Sequence, residues 1–236
     1  MFFSLLLVSS CTLTEQESDS VTEVNPLPNN CIHAAFLIMD GTYNSELTAP
    51  FDVFQHTKYR EVDEPICVST IAQSKDPITT FEGLHILPDY SYSSDYPDID
   101  ILVIPAAEHN LDSDLEDDQL IGFIRETAEQ ADWVLSLCDG AFILAKTGLL
   151  NGLHCTTYPG DRQAMREMFP ECIVHDSVLW VHHDKFITSA GGAKSFEPAM
   201  YLVETIYSAD VAEANGIGLV IDWDVNDYPY HQVENP

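Results

Sequence analysis

Strands that alternate with helices predict a doubly wound α/β domain, a mostly parallel sheet with helices on both faces. Three observations carry this expectation. His33–Met39 and Asp98–Pro105 are short, largely apolar runs, as expected of strands covered on both faces. Between the strand-like runs, residues such as Leu120, Ile124 and Ala128 recur at helical spacing. A length of 236 residues with 45% hydrophobic content has room for one good-sized domain and little more.

In order, the first strand is His33–Met39, then a loop over Gly41–Ser45 and a helix beginning close to Pro50, a residue tolerated in a first turn. Pro65–Ala72 is the second strand, Ile78–Leu87 a small hairpin around Gly83, and Asp98–Pro105 a buried strand. A helix with an acidic front follows over Leu115–Gln130. Farther on, Leu153–Thr157 reads as a strand and Asp161–Met168 as a short helix. Ser177–His183 and Phe186–Ser189 read as a hairpin turning at Asp184-Lys185. The last expected helix runs from Ser195 to Tyr207 and buries Phe196, Ala199, Val203 and Ile206. Gly216-Ile-Gly218 lacks a third glycine and a preceding strand, so it is no dinucleotide loop.

Trp133–Leu137 is apolar and β-prone, Asp139-Gly140 breaks it, and Ala141–Lys146 favours helix. Cys138 therefore sits where a strand turns sharply into a helix, the layout of a nucleophile elbow. A helix N-terminus favours a thiolate, and Gly140 permits the tight turn. The segment alone fits a buried, inert cysteine equally well.

The 39 acidic residues against 9 basic ones give a formal net charge of -30, a field that repels nucleic acid and anionic lipid surfaces. Nucleic-acid binding is thereby excluded as an expectation. At the N-terminus, Phe2–Val8 is too short to span a membrane and leads into Val8-Ser-Ser-Cys11, which resembles a bacterial lipoprotein processing box. Residues 1–11 are expected to be a signal ending at Cys11, the lipid acceptor, and residues 12–30 a flexible acidic tether. The folded domain is then 31–236. The expected location is the bacterial cell envelope, with membrane contact only through the anchor. If Cys11 is lipidated, five cysteines remain, and no disulfide is expected among them.

Several segments together resemble the ThiJ/PfpI family of the class I glutamine amidotransferase-like superfamily, whose fold is flavodoxin-like. They are Asn44-Ser-Glu46-Leu-Thr-Ala-Pro50-Phe-Asp-Val-Phe54, Ile101–Pro105, Leu137-Cys138-Asp-Gly140-Ala-Phe, Thr156-Thr-Tyr158-Pro159, and Thr188 through Glu197. The resemblance covers Ile32 to about Asp222. It implies that Cys138 is a nucleophile with Glu46 as its carboxylate partner. A thiolate and a carboxylate in contact are costly when both are charged, so such a pair is expected to share a proton.

Two departures narrow what carries over. Histidine in relatives stands either where Tyr158 is or directly after the nucleophile, where Asp139 is, so a Cys–His relay is not expected. Tyr158 is a poor base at neutral pH but a possible hydrogen-bond donor. Relatives also carry a glycine pair where this chain has Ala106-Ala107. Alanine keeps its N–H, so the amides of Ala107 and Asp139 remain candidates for an oxyanion hole.

Adjacent strand residues point to opposite faces, so His182 and His183 are not expected to share an ion. No metal site and no cofactor is expected. The resemblance implies a small-molecule enzyme, nearest to the isocyanide-hydratase branch, and relatives are often dimers. The alternatives are a glyoxalase- or deglycase-like enzyme, and a non-catalytic redox or ligand-sensing relative.

Overall fold

The computed structural model describes residues 27–28 and 30–233. The expected processing segment with Cys11, and most of the expected tether, lie outside the described residues.

The chain opens with β1 (Ile32–Leu37), α1 (Asn44–Gln55) and β2 (Ile66–Ala72). The hairpin β3 (Ile78–Thr79) and β4 (His85–Ile86) follows, then β5 (Tyr90–Ser91) and β6 (Ile101–Ile104). Next come α2 (Asp118–Gln130), β7 (Trp133–Leu137), α3 (Gly140–Lys146), β8 (His154–Cys155), α4 (Arg162–Met168) and β9 (Ile173–Val174). β10 (Trp180–His183), β11 (Phe186–Ser189), α5 (Phe196–Ile206), α6 (Ala209–Leu219) and β12 (Tyr230–Gln232) complete the fold.

The main sheet has the order β12-β10-β11-β7-β6-β1-β2-β5. All of its pairings are parallel except β10 with β11. The expected doubly wound, mostly parallel sheet is what the chain forms. β8 and β9 pair with each other as a separate parallel ladder.

The continuous apolar character of β1, β6 and β7 follows from burial on both faces. Phe36, Ile101, Val103 and Leu135 face one core with Phe54 of α1 and Met200 and Val203 of α5. Leu37, Leu102, Ile104 and Val134 face the other, with Ile124 of α2 and Phe142 of α3. The period-two alternation along each strand thus assigns successive side chains to different cores.

Three sequence expectations are corrected. α1 begins at Asn44 rather than near Pro50, which sits inside the helix. A proline removes one helical N–H, but the turn before it is held from outside by bonds to buried Glu46. A second departure is α6, beyond the last expected helix. Its glycines conceal it, yet Gly216 is demanded by packing, since a Cβ there would lie 2.6 Å from the Ile221 carbonyl oxygen. Ser208 caps this helix, accepting from the Val211 N–H. The third concerns cysteine pairing. Cys31 and Cys67 form a disulfide across the start of β1 and β2, with Cα atoms 5.8 Å apart. Sequence separation hides this proximity; the parallel register places His33 opposite Cys67 and so brings Cys31 within reach.

Candidate active site

β1, β6, β7 and β11 run in the same direction, so the loops at their carboxyl ends gather at one edge, where ligands bind in such sheets. Cys138 directly follows β7 with φ of +51°, in the left-handed region that non-glycine residues adopt only at a cost. Surrounding bonds enforce it. Its N–H donates to the Ser189 carbonyl at 3.0 Å, and its carbonyl accepts from Thr157 Oγ1 at 2.8 Å.

Two glycines make room for this turn. A Cβ on Gly140 would lie 2.3 Å from the Ile104 carbonyl oxygen, so helix α3 can approach β6 only through glycine. Gly191 has φ of +69°, and a Cβ there would lie 2.4 Å from the Cys138 Cβ. The loop after β11 therefore closes directly onto the cysteine.

Glu46, 2% exposed, comes from the first turn of α1. Its Oε2 accepts from the Ala106 N–H and its Oε1 from the Gly192 N–H, each at 2.9 Å. Loops after β6 and β11 thus hold the carboxyl group beside Cys138, near enough for its charge to act on the thiol. Burial raises the carboxyl pKa, against the lowering effect of the two backbone bonds. Burial also pushes the Cys138 thiol well above its usual value, reinforced by the charges of Glu46 and Asp139 and only partly opposed by the Asp139 N–H. Both groups favour their neutral forms, so the pair retains a proton at neutral pH. The thiolate preference expected from a helix N-terminus is outweighed by burial and by this neighbouring negative charge.

Asp139 does more than support the turn. Its carboxyl lies 3.1 Å from Thr157 Oγ1 and beside Asp161, and its pKa is pushed up to about 7, by burial first and by Asp161 next. It therefore changes charge near neutrality at the position next to the thiol.

The other expected site residues are placed differently. The Ala107 N–H is taken by Asn110 Oδ1 at 2.8 Å, so it does not point freely at the thiol. The neighbouring Ala106 amide is the one that serves Glu46. Tyr158 is exposed, its ring against Gly160, and makes no hydrogen bond to Cys138 or Glu46 among the described residues. Tyr43 was not among the expected site residues. Its ring packs against Phe81 at 4.6 Å, tilted by 33°, and burial, with the nearby Cys138 and Asp139, raises its phenol pKa. Its position just before Asn44-Ser-Glu46 was the available signal. Thr157 and Gly191 lie inside the motifs already quoted, without an expected role there.

The model of the DJ-1/PfpI family matches residues 32–219. An isonitrile hydratase from Pseudomonas putida is 26% identical over 185 residues, covering 77% of this chain and 75% of that protein. Protein DJ-1alpha of Drosophila melanogaster is 23% identical over 185 residues, covering 77% of this chain and 80% of its own. Among solved structures, a THiJ/PfpI family protein from Pseudomonas syringae superposes with a TM-score of 0.72 at 23% identity. That match covers 87% of this chain and 82% of the other. Fold, elbow and matched span agree: the chain belongs to the DJ-1/PfpI family.

Proposed function

We propose that the protein is a cysteine-dependent hydratase that adds water to the terminal carbon of a small isonitrile. The carrying observation is the buried Glu46 carboxyl, fixed by two backbone N–H groups and set beside the Cys138 thiol, whose pKa its charge raises. In this reading Cys138 sulfur attacks the isonitrile carbon while the proton shared with Glu46 passes to that carbon, leaving a thioimidate. Water then adds to the thioimidate carbon as its nitrogen takes a proton from the water through Glu46. Collapse expels the Cys138 sulfur, which regains its proton, and releases an N-substituted formamide. The net change is one isonitrile plus one water to one formamide.

The similarity to isonitrile hydratase supports this substrate class. A redox-sensing cysteine is favoured by exposure and thiolate character, whereas Cys138 is buried and its thiol pKa is raised. The test is formamide formation from a small alkyl isocyanide. Cys138→Ala is expected to abolish it, and Glu46→Gln to slow it by about 10²-fold or more. Turnover unchanged in Cys138→Ala would overturn the reading. Turnover of a glyoxal but of no isocyanide would move the protein to the glyoxalase-like alternative.

We also propose that the domain works in the cell envelope, anchored through Cys11. The Cys31–Cys67 disulfide supports an oxidising compartment. Cys11→Ser should shift the protein from membrane to soluble fractions; retention on membranes would count against the anchor.

A further inference from the structure

The sequence has no metal-type spacing, yet the fold brings three histidines from three segments together. His154 begins β8, His175 follows β9, and His231 lies in the edge strand β12. One nitrogen from each ring lies within 4.8 Å of the other two. His154 Nδ1 is 2.8 Å from His175 Nε2 and 3.2 Å from His231 Nε2.

This convergence exceeds what hydrogen bonding can satisfy. An imidazole nitrogen has one in-plane site, either an N–H or a lone pair. His154 Nδ1 can therefore serve one of its two neighbours and leaves the other facing it without a shared proton. A cation resolves the conflict, because all three nitrogens can then present lone pairs to one centre. Nitrogens bound tetrahedrally at roughly 2.0–2.1 Å from zinc lie about 3.3 Å apart, close to the two spacings from His154 Nδ1.

The backbone holds the cluster in register. The His175 N–H donates to the Cys155 carbonyl at 2.8 Å, which fixes it beside β8. The His154 N–H donates to His183 Nδ1 at 2.8 Å. His231 pairs with Val181 in the parallel β10–β12 ladder. The rings of His175 and His231 are stacked at 4.2 Å, so coordination requires them to splay about χ2. Their partly exposed positions permit this. The acidic surface, with a formal net charge of -30, attracts cations generally and so raises their local concentration.

We propose that His154, His175 and His231 form a binding site for a borderline divalent cation, Zn²⁺ or Cu²⁺, that ties β12 to the β8–β9 ladder. Imidazole ligands suit these ions and are poor partners for Mg²⁺ or Ca²⁺. With three protein ligands, one position stays open for water.

The test titrates chelator-treated full-length protein with Zn²⁺ alone, by calorimetry and by thermal unfolding. Saturation at one ion per chain is expected, with a rise in Tm and no comparable effect of Mg²⁺. His175→Gln and His231→Gln should each weaken binding at least ten-fold while keeping the far-UV spectrum and apo Tm. Cys138→Ala should bind as the parent does. Equal binding in both histidine variants would assign the ion to surface carboxylates and overturn the proposal, as would loss of binding in Cys138→Ala. Should a variant fold poorly, Cu²⁺ added to the parent provides an independent readout. It should broaden the ring resonances of these three histidines first, and early broadening confined to other residues would equally overturn the site.

Discussion

Asp139 shows how strongly one position depends on its neighbours. Burial and Asp161 hold its carboxyl at about 7 in the folded chain, against an unfolded value near 4. A raised carboxyl pKa means that the native state binds the extra proton. Its stabilising effect is complete below about pH 4 and lost as pH rises through about 7. Asp139→Asn should therefore be more stable than the parent at pH 8, by about 2 kcal/mol after allowing for partial exposure. The difference should vanish near pH 4, which denaturant unfolding at the two pH values would check. The same substitution should remove an inflection near pH 7 from the rate profile. Glu46→Gln tests the neighbouring pair. Its charge helps raise the thiol, so removing it should lower the alkylation pKa of Cys138 by about a unit or more. An unchanged alkylation profile would contradict the coupling.

Helices, strands and loops contribute differently to the site. α1 supplies Glu46, the turn after β7 supplies Cys138, and the loops after β6 and β11 hold the two in place. Gly191 is where the β11 loop meets Cys138 itself. Gly191→Ala would add a Cβ 2.4 Å from that of Cys138 at a φ of +69°. A loss of at least about 2 kcal/mol is expected, with Cys138 alkylation altered because the two loops must separate. Chemical denaturation together with thiol titration measures both effects. The β1–β2 cross-link belongs to the same level. Cys31 and Cys67 are 36 residues apart in sequence, and the chain-entropy estimate for a loop of that size is about 3–4 kcal/mol. The Cys31→Ser/Cys67→Ser double variant should lose stability of this order in denaturant, without moving the active-site pair on β7 and α1.

Across the whole molecule, the uneven charge is the dominant long-range feature. A formal net charge of -30 opposes compaction through self-repulsion, which salt screens. Raising NaCl from about 20 to about 500 mM shortens the Debye length from roughly 20 to roughly 4 Å. Tm should rise by several degrees over that range, and a flat response would mean that local ion pairing already neutralises the field. Ion pairs are sparse for such a charge. Among the described residues, Lys146–Glu116, Arg166–Asp176 and Lys194–Glu197 are the lysine and arginine pairs. Among the described residues, too, no helix is long and apolar enough to cross a membrane.

Local chemistry was enough to read the doubly wound sheet and the elbow at Cys138, whereas the partnership with Glu46 was expected only from the family resemblance. Buried parallel strands must be apolar throughout, and a strand-to-helix turn needs its breaker residues in a fixed order. Such requirements leave a periodic, short-range imprint on the chain. Other features depended on distant segments meeting. Parallel register brings Cys31 to Cys67, and Asn110 occupies the Ala107 amide that the sequence left free. The outer loops leave Tyr158 exposed and set Tyr43 near the thiol. The edge strand β12 carries His231 to His154 and His175, which no spacing rule anticipates. Each of these rests on a contact whose energy depends on both partners, and a linear reading sees only one partner at a time.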